Sequence, residues 1–433
     1  MKSVETGVRV VDRFAQNRAD NAGGIDCLGP PPAQNATSVA CTTQPALSAL
    51  PGVAYHTTYG TQFNGQFGIR SWIDADPNWL VNNIGYLRQL WNTSATGDRP
   101  PEDPTQSFDD REISYAGYVK GNFGMNVGSL PLTGNIGLRL VETRASMLGN
   151  TSINGVISPV QTDKNTLDWL PSLNARLALE DNLFLRFAAS RTVTHPTFAQ
   201  LDPALTLSAS TATLLGSGTS GNASLSPVKS DNADLALEYY FSRQNALTAT
   251  AFYRRVDGYI QTVTDAEVIN AITYQVTRPV NAPSGKIDGA EIGYTQFLDF
   301  LPAWLQGMGV QANATYVNGD FQNISKWSYN VVGFYETGPA SVRVAYNWRS
   351  GFNVGGTPGG AQPLEPLTIY AKSQPWLDLS ASYHIVDGLT LTFDATNLLN
   401  SYYQDYFGDQ TVFPRDTRRF DRQFSLGIRY RLK

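Results

Sequence analysis

The chain's last stretch reads Phe424-Ser425-Leu426-Gly427-Ile428-Arg429-Tyr430-Arg431-Leu432, and its period is two. Phe424, Leu426, Ile428, Tyr430 and Leu432 share one face, while Ser425, Gly427, Arg429 and Arg431 share the other. Side chains alternate in this way along a β-strand that is apolar on one side and wet on the other. The split recurs upstream. Ala233, Leu235, Leu237, Tyr239 and Phe241 oppose Asn232, Asp234, Glu238 and Tyr240; Met308, Val310, Ala312, Ala314 and Tyr316 oppose Gln311, Asn313 and Thr315; and Leu377, Leu379, Ala381, Tyr383 and Ile385 oppose Asp378, Ser380, Ser382 and His384. The pattern predicts about 14 strands. They fall near 3–12, 111–127, 134–147, 165–180, 182–194, 229–242, 245–264, 284–300, 308–318, 326–337, 339–350, 374–385, 388–397 and 418–432.

A soluble sandwich would alternate too, so the connections decide. Short turns at Asp181-Asn182, Ser242–Gln244, Gly338 and Val386–Gly388 take turns with long links at about 13–110, 148–164, 195–228, 265–283, 319–325, 351–373 and 398–417. Tight turns at one end and long loops at the other mark an all-β, antiparallel transmembrane barrel. The polar face carries Asp234, Glu238, Arg343, Arg349, Asp394 and Arg429, charges that a narrow dry core would not hold. Large rings on the apolar face lie near both strand ends: Tyr239, Phe241, Tyr383 and Tyr430 toward the turns, and Tyr316, Tyr346 and Trp348 toward the loops. Such rings suit aromatic girdles at two lipid–water interfaces.

Composition agrees. Charged residues are only 16% of 433, and the net charge of −5 leaves no basic block to neutralise nucleic-acid phosphates. Although 42% of the chain is hydrophobic, no run approaches the roughly 18 apolar residues of a membrane-spanning helix. Cys27 and Cys41, the two cysteines, sit in a Pro- and Gly-rich stretch and read as a disulfide formed in an oxidising compartment. The segment Met1–Thr6 has no apolar core followed by a small-residue cleavage site, so it offers no signal peptide: either the chain is cytoplasmic or it is part of a longer protein.

Four segments resemble the barrel of TonB-dependent outer-membrane receptors, in particular a long-loop group that scavenges carbohydrate. They are Asn182–Phe198 with its Ser190-Arg-Thr-Val-Thr-His195-Pro196 core, Gly221–Asp234, Asp394-Ala-Thr-Asn397-Leu-Leu-Asn400, and the ending Phe424–Leu432. In the last, the resemblance makes Phe424, Gly427, Tyr430 and Leu432 an assembly signal for the barrel-assembly machinery. Two residues depart from the pattern: His195 stands where the family usually has Arg, and Lys433 follows Leu432 where an aromatic more often ends the chain. The family has about 22 strands around a plug domain, and neither plug nor coupling box is visible here. The resemblance therefore implies that residues 1–433 are a C-terminal barrel portion with a long external loop at about 13–110. The whole receptor would sit in the outer membrane of a Gram-negative bacterium, in contact with lipid and lipopolysaccharide, and import a small-molecule nutrient through the TonB–ExbB–ExbD complex. The other readings are a self-contained passive porin or channel and a siderophore receptor barrel.

Charge and rings narrow the ligand. The 13–110 link holds five Arg and nine carboxylates, a net of −4, which disfavours steering of anionic iron chelates. Trp72, Trp79, Tyr86 and Trp91, with Tyr402, Tyr403 and Tyr406 in the last loop, offer faces on which sugar rings stack. The competing reading is that these rings form the small cores of the loops, including a short helix near 77–91. No enzyme, cofactor or metal motif stands out. Gly216–Gly221 spells G-x-G-x-x-G without a helix after it, the three His are scattered, and Asp378 and Asp394 read as solvated wall charges on adjacent strands.

Overall fold

The computed structural model describes residues 2–19, 55–59, 71–84, 102–153, 156–208, 216–356, 368–408, 411 and 413–431. Cys27, Cys41, Tyr86, Trp91 and Leu432 lie outside them. A single meander forms the wall, starting with β1 (Ser3–Asn17), β4 (Phe108–Val127), β5 (Leu130–Ile153), β6 (Val156–Glu180) and β7 (Leu183–Thr194). It continues through β10 (Val228–Tyr240), β11 (Ala246–Asp257), β14 (Gly285–Phe297), β15 (Met308–Gly319) and β16 (Trp327–Thr337). The meander ends with β17 (Ala340–Arg349), β20 (Gln374–Val386), β21 (Leu389–Thr396) and β24 (Gln423–Tyr430). All of these pairings are antiparallel between successive wall strands, as the alternation predicts. Among the described residues β1 pairs only with β4, and β24 only with β21.

The remaining strands belong to the long connections. β2 (Tyr55–Tyr59) and β3 (Ser71–Ala75) form a hairpin between β1 and β4. β8 (Leu205–Ser208), β9 (Gly216–Ser220), β12 (Ile260–Ile269) and β13 (Ile272–Asn281) extend the wall into an 18-stranded sheet. β18 (Phe352–Gly356), β19 (Thr368–Ala371), β22 (Tyr402–Phe407) and β23 (Pro414–Arg419) make a separate four-stranded sheet from two different loops. Two expected links are in fact hairpins. Residues 148–164 continue the β5–β6 ladder as far as Ile153↔Val156, and 265–283 is the β12–β13 hairpin. The strand expected at 245–264 breaks at Gly258, whose φ is +72°.

Turn chemistry keeps one end tight. Asp387-Gly388 joins β20 to β21, with Gly388 at φ +82°, the conformation that a two-residue hairpin requires and that glycine adopts without a steric cost. At Gly307, φ is +97° and an added Cβ would stand 1.9 Å from the Glu336 carbonyl oxygen, so the turn before β15 admits no side chain.

The two faces differ in what they can meet. On the apolar face Val8 is 90% and Leu426 72% exposed, area that costs about 25 cal/mol per Å² in water and nothing in lipid. Rings gather at both ends of this face. Toward the loops Tyr316 meets Trp327 at 4.8 Å and Tyr329 stacks on Trp348 at 5.0 Å; toward the turns Phe241 stacks on Tyr294 at 6.3 Å. The opposite face is laced with ion pairs, Arg186–Glu238 at 2.7 Å and Arg254–Asp234 at 2.6 Å among them, as a wet lumen allows.

Candidate functional site

The most distinctive patch lies on the polar face, near the loop end of four consecutive strands. Register sets Asn313 of β15 opposite Asn330 of β16, Asn330 opposite Asn347 of β17, and Asn347 opposite Trp376 of β20. One row toward the loops, Ser328 faces Arg349, which faces Gln374. The Asn330 amide donates to the Asn347 carbonyl oxygen, and the Arg349 guanidinium donates to Gln374 Oε1 at 3.2 Å. These side chains line a depression of about 430 Å³. Side-chain amides present donors and acceptors without charge, and the Trp376 ring, held edge-on by Phe420 at 5.7 Å, adds an apolar plate. The arrangement offers uncharged donors and acceptors beside an apolar plate, with the Arg349 guanidinium as the one charged group in the lining.

Above it stands the four-stranded loop sheet, tied down by Asn397. This residue is fully buried, at φ +54°, a conformation that asparagine tolerates better than most residues. Its backbone N–H donates to Asp378 Oδ1 at 2.9 Å. Its side chain donates to the Phe420 carbonyl at 2.7 Å and the Ser401 carbonyl at 3.1 Å, and accepts from the Ser401 N–H at 2.7 Å. The motif at 394–400 is thus a staple between wall and loop. Asp378 and Asp394 do not face each other across the ladder; Asp394 lies opposite Ser380.

Within that sheet two of the predicted rings, Tyr402 and Tyr403, are engaged by charged side chains. Tyr403 donates to the buried Asp405 at 3.0 Å, and Arg418 lies 5.6 Å over its ring. The Lys372 ammonium is 3.4 Å from the Tyr402 hydroxyl, and Arg419 lies 5.6 Å over that ring. Burial alone would raise the Asp405 pKa. The bidentate Arg415 guanidinium, at 2.8 and 2.5 Å, and the Tyr403 hydroxyl outweigh it and hold the carboxyl below its ordinary range. Tyr406 is placed differently. It stacks on Tyr370 at 6.0 Å, and both rings line a cavity of about 550 Å³ together with Phe321, Ile324, Phe352 and Asp320. Arg349, over the Phe352 ring at 5.0 Å, joins this upper cavity to the amide row below.

A second polar group lies by the loop end of β4 to β7. The β6–β7 ladder stops at Ser172↔Ser190, beside Pro171, which has no N–H to offer. Beyond that point the segment after β7 folds in: His195 lies 3.9 Å from Asp168 and 4.0 Å from Glu112, and Lys229 pairs with Asp168 at 2.8 Å. Glu112 also takes Arg13. A four-residue helix α2 (Phe198–Leu201), capped reciprocally by Thr197 and Gln200, leads to Asp202. Burial pushes the Asp110 carboxyl up to about 7, helped by the charge of Asp202, which burial also raises.

Of the remaining predicted residues, Trp79 lies in α1 (Pro77–Asn82), a helix capped by Asp76; the rest of the expected 77–91 helix runs beyond the described residues. Trp72 lies in β3, opposite Thr58. Phe424, Gly427 and Tyr430 align along β24 opposite Ala395, Thr392 and Leu389. Sequence reasoning missed the amide row. Each Asn was visible as a polar-face residue, but their adjacency depends on register. No group of three or more His, Cys, Asp or Glu is placed to hold a metal among the described residues.

Comparison with known proteins follows the same lines. Residues 9–398 match the family described as TonB dependent receptor-like, beta-barrel. Among solved structures, the ferric enterobactin receptor of Pseudomonas aeruginosa is 16% identical with a TM-score of 0.47, over 77% of this chain and 57% of that one. The siderophore receptor of Acinetobacter baumannii is 14% identical with a TM-score of 0.48, again over 77% and 57%. The ferric yersiniabactin uptake receptor of Yersinia pestis is 15% identical with a TM-score of 0.50, over 75% and 46%. At such identities the likeness concerns fold alone, and the chain spans little more than half the length of the first two. No curated protein matches the sequence.

Proposed function

The chain belongs to the TonB dependent receptor-like, beta-barrel family, and from that premise we propose that it forms wall and external loops of an outer-membrane receptor for active nutrient uptake. On this reading the apolar face meets lipid and lipopolysaccharide, the barrel-assembly machinery inserts the wall through its last strand, and import is driven through TonB–ExbB–ExbD. On the same reading residues 1–433 supply the barrel portion of that receptor. A self-contained passive channel would need β1 and β24 to close on each other. The match of residues 9–398 to the receptor family supports the receptor reading over that channel.

For the ligand, the observation that carries the proposal is the row Asn313, Asn330, Asn347 and Trp376 beneath the Tyr370–Tyr406 cavity. Few convergent polar groups on an aromatic-lined wall fix the orientation of a small solute, and three uncharged asparagine amides in one row, with Arg349 the single cation beside them, suit the hydroxyls of an oligosaccharide. The long link between β1 and β4, with four Arg and seven carboxylates over 18–107, is also net acidic and agrees. The test is tryptophan fluorescence of the receptor in outer membranes, titrated with a panel of neutral oligosaccharides and of ferric siderophores. A saturating response to a sugar, weakened tenfold or more by Trp376→Ala, is expected. Tight binding of a ferric chelate with no response to any sugar would overturn the sugar reading and leave the receptor reading standing.

A further inference from the structure

Asp110 is the most anomalous carboxylate among the described residues. It points to the polar face of β4, opposite Met147 of β5, is 2% exposed, and neither of its oxygens has a hydrogen-bond partner. The Leu148 N–H acts on it without reaching hydrogen-bond geometry. Two residues beyond Met147, on the same face, stands Gly149, and the room left by its missing side chain is taken by a second carboxylate. A Cβ there would meet Asp202 Oδ1 at 2.4 Å. That oxygen accepts the Ala204 N–H at 2.9 Å. Asp110 and Asp202 therefore come together from two elements, a wall strand and the segment that follows α2.

Nearby cations are committed elsewhere. Arg13 pairs with Glu112, Arg18 with Asp109 and Glu102, and Lys229 with Asp168. On the other face of β4, Arg111 pairs with Asp12 at 2.7 Å. An isolated buried carboxylate is expensive, and the cost is relieved either by a proton, toward which burial pushes Asp110, or by a counter-charge. Oxygen-only ligands select a hard cation, and calcium tolerates the irregular geometry of a site completed by backbone carbonyls and water. We propose that Asp110 and Asp202 bind one calcium ion, which cross-links β4 to the 195–208 segment over the loop-side lumen. With only two carboxylates gathered, the site belongs to the weak extracellular class, with Kd about 10⁻⁴–10⁻³ M.

The experiment uses the full chain in outer-membrane fractions, with calcium chloride as probe at pH 7.4. One saturable site in that range is expected by calorimetry, at least tenfold weaker in Asp110→Asn and in Asp202→Asn. Calcium should also slow amide exchange across 198–208 in the unaltered chain by tenfold or more. If Asp110→Asn fails to fold, Asp202→Asn and the exchange measurement on the unaltered chain decide. No calcium binding, binding unchanged in the Asp202 variant, or exchange that responds to pH and not to calcium would each overturn the proposal.

Discussion

Replacing Asn397 by alanine tests whether a buried amide, rather than the length of the last loop, holds the four-stranded sheet against the wall. The side chain makes three hydrogen bonds, to Phe420, to Ser401 and from Ser401, each worth about 1 kcal/mol. Alanine would also have to hold φ +54°, at roughly a further 1 kcal/mol. The loss is therefore about 4 kcal/mol, and since it falls on one subglobular unit it appears as local opening. Ten-fold per 1.4 kcal/mol makes that on the order of a thousandfold faster amide exchange for Tyr402–Phe407 and Pro414–Arg419, with β16 and β17 unchanged. Asn397→Gly separates the two parts, since glycine keeps the backbone conformation and loses only the hydrogen bonds, about 3 kcal/mol. Exchange–mass spectrometry of the receptor in a bilayer reads both. Loop-sheet exchange within about threefold of the parent in both variants would refute the staple and assign the sheet's position to its own contacts.

Other outcomes follow from single residues. Arg415→Ala strips the buried Asp405 of its bidentate partner. The loop sheet should loosen by roughly 2–3 kcal/mol, less than for a fully buried pair because Arg415 is partly in water. Because Asp405 is held below its ordinary range, the parent's loop sheet should lose stability as pH falls through that lowered pKa, measurable by exchange in acid. Asp110 has the opposite sign. Its carboxyl is raised from 3.8 to about 7, so in excess chelator the protection of 198–208 should be highest below about pH 4 and fall by up to about 4 kcal/mol as pH rises past 7. Asp110→Asn should flatten that profile, and a fall with decreasing pH would contradict it. Gly307→Ala sets a Cβ against the Glu336 carbonyl at a cost of roughly 3 kcal/mol or more. It should lower the temperature at which the folded, heat-modifiable form is lost on gels.

How much could be read beforehand varied with the range of the interaction. The wall was legible because alternation is written into neighbours in the chain. The register confirms the faces assigned to 232–241, 308–316, 377–385 and 424–430. Loop architecture was not. Residues 148–164 carry Gly149, Asn150 and Pro159, which read locally as a loop, yet cross-strand pairing extends β5 and β6 through them. The strands of the loop sheet are four to six residues long, too short to show a period, and they pair between segments distant in the chain. The rings Tyr402, Tyr403 and Tyr406 were visible, but their partners Lys372, Arg418, Arg419 and Tyr370 were not.

By itself, the sequence determined a β wall with one lipid-compatible and one wet face, tight turns at one end, and a resemblance to TonB-dependent receptor barrels whose family, though not its carbohydrate-scavenging group, residues 9–398 bear out. Those properties depend on period and turn chemistry, which act within a few residues. The tertiary structure alone decided which polar residues stand side by side: Asn313, Asn330, Asn347 and Trp376 in one row, and Asp110 beside Asp202. Such neighbours come from strand register and from a segment folding back onto the wall. A one-residue slip in register would turn a strand's whole polar set to the opposite face, so no local stretch of sequence could have specified either group.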